Sequence, residues 1–303
     1  MATAKQGWDK EQLNHQLSTE LMKEDEDMSL DTCLQMIKDG ADVDTISQIG
    51  RTTLMRAAEL GRIDIVKACI ENGADIHLKA NKLDGGSALV YAVIAKQVEC
   101  IRFLAENGAN CSHTLGYRNT PLLCNTILGG RTDIVKILIE HDASLDAKDK
   151  DGDCAIGYYA AYSNTPGIYE ALIDKGAEIN TKNKDKETPL MFATRYERMD
   201  AVALLLQHGA EVDAQDRVGK TALMIACTKG NREAVHLLLE QGACADLCDN
   251  QGDTSIDYAH GFNNAFGEAV KEMSKRIPFE VAAKRGTLKP RKILRPSKRG
   301  YNA

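Results

Sequence analysis

Long apolar runs are missing from this 303-residue chain. None approaches the roughly 18 residues that a membrane-spanning helix requires, so no transmembrane segment is expected. The N-terminal stretch MATAKQGWDKEQLNHQ lacks the apolar core of a secretory signal, and none is expected there. Aromatics are scarce, at 5 % against 43 % hydrophobic residues, so any core must be built mostly from aliphatic side chains and Ala. The nine cysteines show no framework spacing, and no C-x-x-C pair occurs. That usage predicts a reduced, intracellular protein, cytoplasmic first, with nuclear or assembly-bound placement as the alternative. Also missing are a Walker-type phosphate loop, a nucleophile elbow and an H-E-x-x-H pair. The expectation is a chain that is not an enzyme, with no cofactor, no metal site and no small-molecule substrate.

Acidic residues outnumber basic ones overall, for a net charge of −6. The balance inverts at the C-terminus. Residues 274–303 hold ten Lys and Arg and a single acid, Glu280, a local +9 that leaves −15 on the remainder. Pro278, Pro290 and Pro296 interrupt this tail, and its apolar residues are too sparse for a core. Three readings of it compete: a solvated tail that folds back on the acidic body, an address such as a nuclear import signal, or an arm for an anionic surface (nucleic acid, an acidic protein lattice or a membrane). The residues that would make such contacts are Lys284, Arg285, Lys289, Arg291, Lys292, Arg295, Lys298 and Arg299.

What is abundant is repetition. TPLMFATRYERMDAVALLLQHGA at 188–210 returns as TALMIACTKGNREAVHLLLEQGA at 221–243. The anchors Leu54, Leu89, Leu122, Ile156, Leu190, Leu223 and Ile256 are spaced by 35, 33, 34, 34, 33 and 33 residues, the signature of a stacked array. Thr or Ser ahead of the first apolar turn predicts a helix N-cap. Pro121 and Pro189 are expected at the first helical position. A short Ala-rich helix such as Leu223–Cys227 is followed by a Gly-bearing turn and a longer helix, Glu233–Gln241, closed by Gly242 in a left-handed cap. A single unit cannot bury both faces of its helix pair, so stacking supplies the core.

These residues resemble the ankyrin repeat family. The resemblance rests on Thr188-Pro189-Leu190, more weakly on Thr52-Thr53-Leu54, and on the G-A-D loop at Gly40-Ala41-Asp42, Gly73-Ala74-Asp75, Gly108-Ala109-Asn110, Gly176-Ala177-Glu178 and Gly209-Ala210-Glu211. It implies an all-α solenoid of about eight units, in which paired antiparallel helices carry β-hairpin-like fingers. The array is expected over 28–273, after a helical cap segment at 1–27 in which Leu13, Leu17 and Leu21 share a face, and ahead of the tail at 274–303. Glu24-Asp25-Glu26-Asp27 reads as a polar break, and the insertion in KANKLDGG predicts a longer finger before Ser87. The His that the family carries after T-P-L is absent: Met55, Val90, Leu123, Gly157, Met191, Met224 and Asp257 stand there, so its hydrogen bonds must be missing or replaced. Asn125 and Tyr159 replace small Ala, which marks the third and fourth full units as the least regular.

Family membership implies a binding protein whose contacts lie on finger tips and short-helix ends. The expected contact residues are Gln48, Ile49, Arg51, Leu60, Tyr117, Asn119, Ile127, Leu128, Lys150, Asp151, Tyr162, Lys184, Arg195, Tyr196, Arg217 and Lys220. Tyr158 and Tyr159 read instead as fillers of irregular packing. Cys69, Cys100 and Cys227 fall on buried helix positions. Cys244, Cys248 and Cys111-Ser112-His113 supply too few ligands for the four a structural metal takes. Three functions follow: a protein–protein adaptor or scaffold with a basic tail for attachment, a structural subunit of a ribonucleoprotein or cytoskeletal assembly held by that tail, or an effector that occludes an enzyme.

Overall fold

A computed structural model describes residues 8–21, 23, 29–48, 50–80, 85–116, 118–165 and 167–276. The acidic break at 24–27, the inserted finger at 81–84, and the tail beyond 276 lie outside these residues. Two compact units are present. The first runs to Lys150 and includes Thr165–Ile168; the second takes Asp151–Asn164 and continues from Tyr169.

The first unit opens with α1 (Lys10–Glu20) and α2 (Leu30–Lys38). Asp9 and Gln12 close a reciprocal capping box at the start of α1. Leu13, Leu17 and Leu21 are buried together, as their spacing of four predicts. Three helix pairs follow: α3 (Thr53–Glu59) with α4 (Ile63–Glu71), α5 (Ala88–Ile94) with α6 (Val98–Glu106), and α7 (Leu122–Leu128) with α8 (Thr132–Glu140). The short helices are buried almost all round. In α3, for instance, every residue from Thr53 to Ala58 is inside. The longer ones bury a single stripe, such as Ile65, Val66 and Cys69 in α4. Before α7 the chain forms a two-residue hairpin, β1 (Thr114–Leu115) with β2 (Thr120–Pro121), in antiparallel register Thr114↔Pro121. This corrects the placing of Pro121. The hairpin and the bond from Leu122 N to His113 O (2.7 Å) keep Pro121 extended, so the helix starts one residue later. Pro189 does occupy the first helical position.

The second unit begins irregularly, as Tyr159 in place of Ala foretells. Ala155–Tyr159 form a π-helical turn, with Gly157 at φ −83, ψ −113, and lead into the four-residue α9 (Ala160–Ser163). The third full unit, with Asn125, keeps a regular α7. Beyond α10 (Ile168–Asp174) regularity returns: α11 (Pro189–Arg195) with α12 (Met199–Gln207), α13 (Ala222–Lys229) with α14 (Arg232–Glu240), and α15 (Ser255–Phe262) with α16 (Asn264–Arg276).

The Thr N-caps are formed as expected. The hydroxyls of Thr52, Thr188, Thr221 and Thr254 accept from the backbone N–H three residues on, at 3.3–3.4 Å. Ser87 sits at the cap position with no such side-chain bond. Where the family's His is missing, two replacements are visible. Asp257 accepts from Thr254 N (2.8 Å) and Thr254 Oγ1 (2.6 Å), and Met224 Sδ accepts from Thr221 N (3.4 Å).

Loops are tied to loops one repeat on. Within the first unit Asp44 accepts from Asp75 N at 3.1 Å, and Ser112 Oγ accepts from Ser144 N at 2.9 Å. Within the second, Asn180 accepts from Glu211 N and Asp213 from Cys244 N, both at 2.8 Å. Finger tips are joined by backbone bonds: Lys184 N to Asp151 O (3.1 Å), Arg217 N to Asp185 O (2.7 Å) and Asn250 N to Val218 O (3.0 Å). The last of these leaves no room at Gly219. It has φ +86, and a Cβ there would lie 2.8 Å from Asn250 N and 2.9 Å from Asp249 Cα. Gly252, at φ +92, has open space around it.

Two outcomes are expected. Gly252→Ala costs about 1 kcal/mol, the strain of a left-handed Ala. Gly219→Ala costs about 2–3 kcal/mol, because the neighbouring finger must also shift; urea melts of both variants check the difference. The Thr254 bonds hold the Asp257 carboxyl below its ordinary value. A folded-state value below the unfolded one gives stability that is present above the unfolded pKa and lost as pH falls through the folded one. Asp257→Asn should therefore be less stable than wild type at neutral pH, and the gap should narrow on acidification in melts taken at a series of pH values.

Candidate functional site

The expected contact residues separate into distinct fates. In the first unit Gln48, Asn119 and Lys150 are exposed, and Leu60 and Leu128 show 36 % and 42 % of their surface. Ile49 and Tyr117 lie outside the described residues, as do all eight tail residues from Lys284 to Arg299. Ile127 is corrected: it is fully buried in α7, one turn position from exposed Leu128, and belongs to the core. Arg51 is half-buried and committed. Its guanidinium pairs with Glu59 and lies 4.4 Å over the Tyr91 ring.

In the second unit Asp151, Lys184 and Arg217 are exposed at finger tips, and Arg217 faces Asp185 at 3.7 Å. Lys220 is half-buried, its ammonium 4.6 Å from the centre of the Tyr258 ring. Tyr162, Arg195 and Tyr196 are brought together. Tyr162 is 54 % exposed, and its ring meets Tyr196 at 5.8 Å in a T-shaped contact. Both rings also touch Tyr158. Tyr162 stacks on it at 5.4 Å, and Tyr196 meets it edge-on at 6.2 Å. Phe192 closes the cluster at 5.8 Å from Tyr158. Arg195 lies 5.5 Å over Phe192 and pairs with Glu187 at 2.5 Å.

The π-turn explains this arrangement. Gly157, at φ −83 and ψ −113, is not helical, so the chain kinks between Ala155 and α9. Tyr159 is turned inward and buried, the filler role the sequence suggests for it. Tyr158 emerges half-buried, four residues from Tyr162 and on the same face. A Cβ built on Gly157 would meet only ordinary contacts, Cys154 Sγ at 3.6 Å and the Phe192 ring at 3.8 Å. Tyr158 is thus the hub of the cluster rather than filler. Aromatic pairs of this geometry add about 0.5–1.5 kcal/mol each beyond the area they bury. Tyr162 is the exposed ring of the four; Tyr158 and Tyr196 are half-buried and Phe192 is buried.

The thiols are sorted by burial. All nine cysteines are free; Cys244 and Cys248 are exposed and the other seven buried. Burial pushes Cys33, Cys69 and Cys227 up to about 12, and Cys100 and Cys111 to about 11. Cys244 is also raised, by its own partial burial and against the bond from the Asp246 backbone.

Comparison with known proteins follows from this geometry. The family described as Ankyrin repeats (3 copies) matches residues 24–115, 113–183, 170–251 and 190–276. The chain is an ankyrin repeat protein. Its all-α solenoid is shared by the ankyrin repeat domain of Bcl-3, a member of the IkappaB protein family. That structure matches with a TM-score of 0.65 at 24 % identity, over 74 % of this chain and 100 % of that domain. The human ASB11 ankyrin repeat domain matches with a TM-score of 0.60 at 27 % identity, over 74 % and 98 %. Among curated proteins, human SH3 and multiple ankyrin repeat domains protein 2 is 28 % identical over 160 residues, 52 % of this chain and 8 % of that protein. Neurogenic locus notch homolog protein 1 of Danio rerio is 30 % identical over 176 residues, 57 % and 7 %. The chain spans less than a tenth of the length of either relative. Ankyrin repeats mediate protein–protein contact and are typically non-catalytic modules. No helix among the described residues is long and apolar enough to cross a membrane.

With native protein at pH 7.5, a chromogenic disulfide reagent should modify two thiols, Cys248 and Cys244, and all nine after denaturation. A native count of four or more would contradict the burial described.

Proposed function

We propose that this protein is a non-catalytic intracellular adaptor whose ankyrin array seizes a folded protein partner with the tyrosine platform of its second unit. One observation carries the reading: Tyr162 is 54 % exposed although the Tyr158 and Tyr196 rings both lie against it, so it is braced and still available. Rigid exposed tyrosines lose little side-chain entropy on binding, which is why such residues dominate interface energies. Arg195 beside them is oriented by Glu187, and the exposed tips Asp151 and Lys184 extend the surface with charge. The basic tail gives the adaptor a second, salt-sensitive attachment. Nine free thiols agree with a reducing compartment, the cytoplasm being the place proposed.

The test starts with a photo-reactive side chain installed at Lys184 in cells, at the edge of the platform, to trap the partner. Affinity is then measured with purified components. Tyr162→Ala should weaken binding at least about tenfold, or about 1.4 kcal/mol. Leu60→Ala, an equally exposed apolar residue of the first unit, should change it less than about twofold. Equal sensitivity at both positions, or none at Tyr162, overturns the platform as the contact.

A further inference from the structure

At the far end of the second unit an open cleft of about 460 Å³ lies beside α13 and α15, lined by Thr228, Asp253, Asp257, Tyr258, Gly261 and Phe262. Its chemistry is mixed in a particular way. Phe262 is 53 % exposed, yet its inner side is fixed: the ring occupies the space a Cβ on Gly230 would need and meets buried Phe266 at 5.7 Å. The Tyr258 phenol donates to Asp249 at 2.7 Å. The Asp257 carboxylate is taken up by Thr254, whereas Asp253 is exposed, and in its contacts with Asp249 only its backbone takes part. Lys220 already places one ammonium 4.6 Å from the Tyr258 ring centre, a cation–aromatic contact of the kind an alkylammonium group makes. The other nearby cations are Lys229, exposed and next to Thr228, and half-buried His260.

The chain itself continues with matching chemistry. Twenty-seven residues follow Arg276, the end of α16, and they hold eight Lys and Arg against the single Glu280. Among them is Lys292-Ile293-Leu294-Arg295, two apolar residues between two cations. Reach is sufficient. The thirteen-residue α16 packs along α15 and is about 20 Å long, and residues 277–283 can span up to about 25 Å when extended. A tether of that length gives an effective concentration in the millimolar range, so even weak contacts are populated.

We propose that this cleft is an intramolecular docking site for the basic tail, with Ile293 and Leu294 against Phe262 and Tyr258 and the flanking Lys292 and Arg295 against Asp253 and Asp257. The docked tail covers the end of the array and is withheld from other anionic surfaces until one competes for it. This docking does not depend on the tyrosine platform or on any partner.

The experiment uses the full chain with a photo-cross-linking benzoylphenylalanine in place of Phe262, irradiated as purified protein and mapped by peptide mass spectrometry. The expected product is an intramolecular cross-link to a peptide within 284–299, with a yield unchanged on tenfold dilution. That yield should fall about threefold or more in 0.5 M NaCl, and equally in the Asp253→Lys background. Asp253→Asn, with a smaller loss, serves if the Lys variant melts early by circular dichroism. A cross-link that joins two chains and dilutes away assigns the cleft to a second copy and overturns the proposal. So does a cross-link elsewhere than 284–299, or one indifferent to both salt and Asp253.

Discussion

The fold rests on a debt that each repeat leaves to its neighbour. A finger or loop carries backbone N–H groups that its own unit leaves to water, and each bond made to them across a repeat adds about 0.5–1.5 kcal/mol net. Asp44 relieves Asp75, Ser112 relieves Ser144, Asn180 relieves Glu211 and Asp213 relieves Cys244, each about one period along. The aliphatic stripes have the same logic. Ile65, Val66 and Cys69 are wholly buried on α4, which packs against α2 and α6 of the adjacent repeats as well as its own partner α3. The period of the sequence is therefore a requirement of satisfaction as much as of packing. It also explains why Gly219 is needed by a residue thirty-one positions away rather than by its own turn alone.

The stack is least regular at the start of the second unit. There the backbone kinks at Gly157, and the half-buried Tyr158 next to it packs against Tyr162 and Tyr196. The exposed aromatic face is thus a by-product of imperfect repetition, kept rigid by ring-on-ring contacts instead of by the stack.

Much of the fold was legible because it is periodic. The Thr caps, the helix pairs around Leu190 and Leu223, the closing Gly242 and the shared face of Leu13, Leu17 and Leu21 all follow from spacing and side-chain chemistry. Pro121 and Ile127 were misplaced for opposite reasons. Pro121 depends on a hairpin bond to His113, a contact across the finger that no local pattern encodes. Ile127 and Leu128 are equally apolar neighbours at a helix end, and only the three-dimensional path decides which points inward. Tyr162 and Tyr196 could be proposed from position, but Tyr158 could not, since the backbone kink at Gly157 beside it has no counterpart in the repeat pattern. The cleft at Phe262 was missed because it forms only where α13 and α15 meet, and the repeat pattern does not mark that meeting.

The methionines standing where the family has His carry a consequence of their own. Met55, Met191 and Met224 are almost wholly buried at the starts of α3, α11 and α13. Imidazole would have made those helix starts responsive to protons near neutrality; a thioether makes them indifferent to acid and vulnerable to peroxide instead. Oxidant must wait for the helix pair to open, so the rate of sulfoxide formation at each Met becomes a clock of local opening, repeat by repeat along the array.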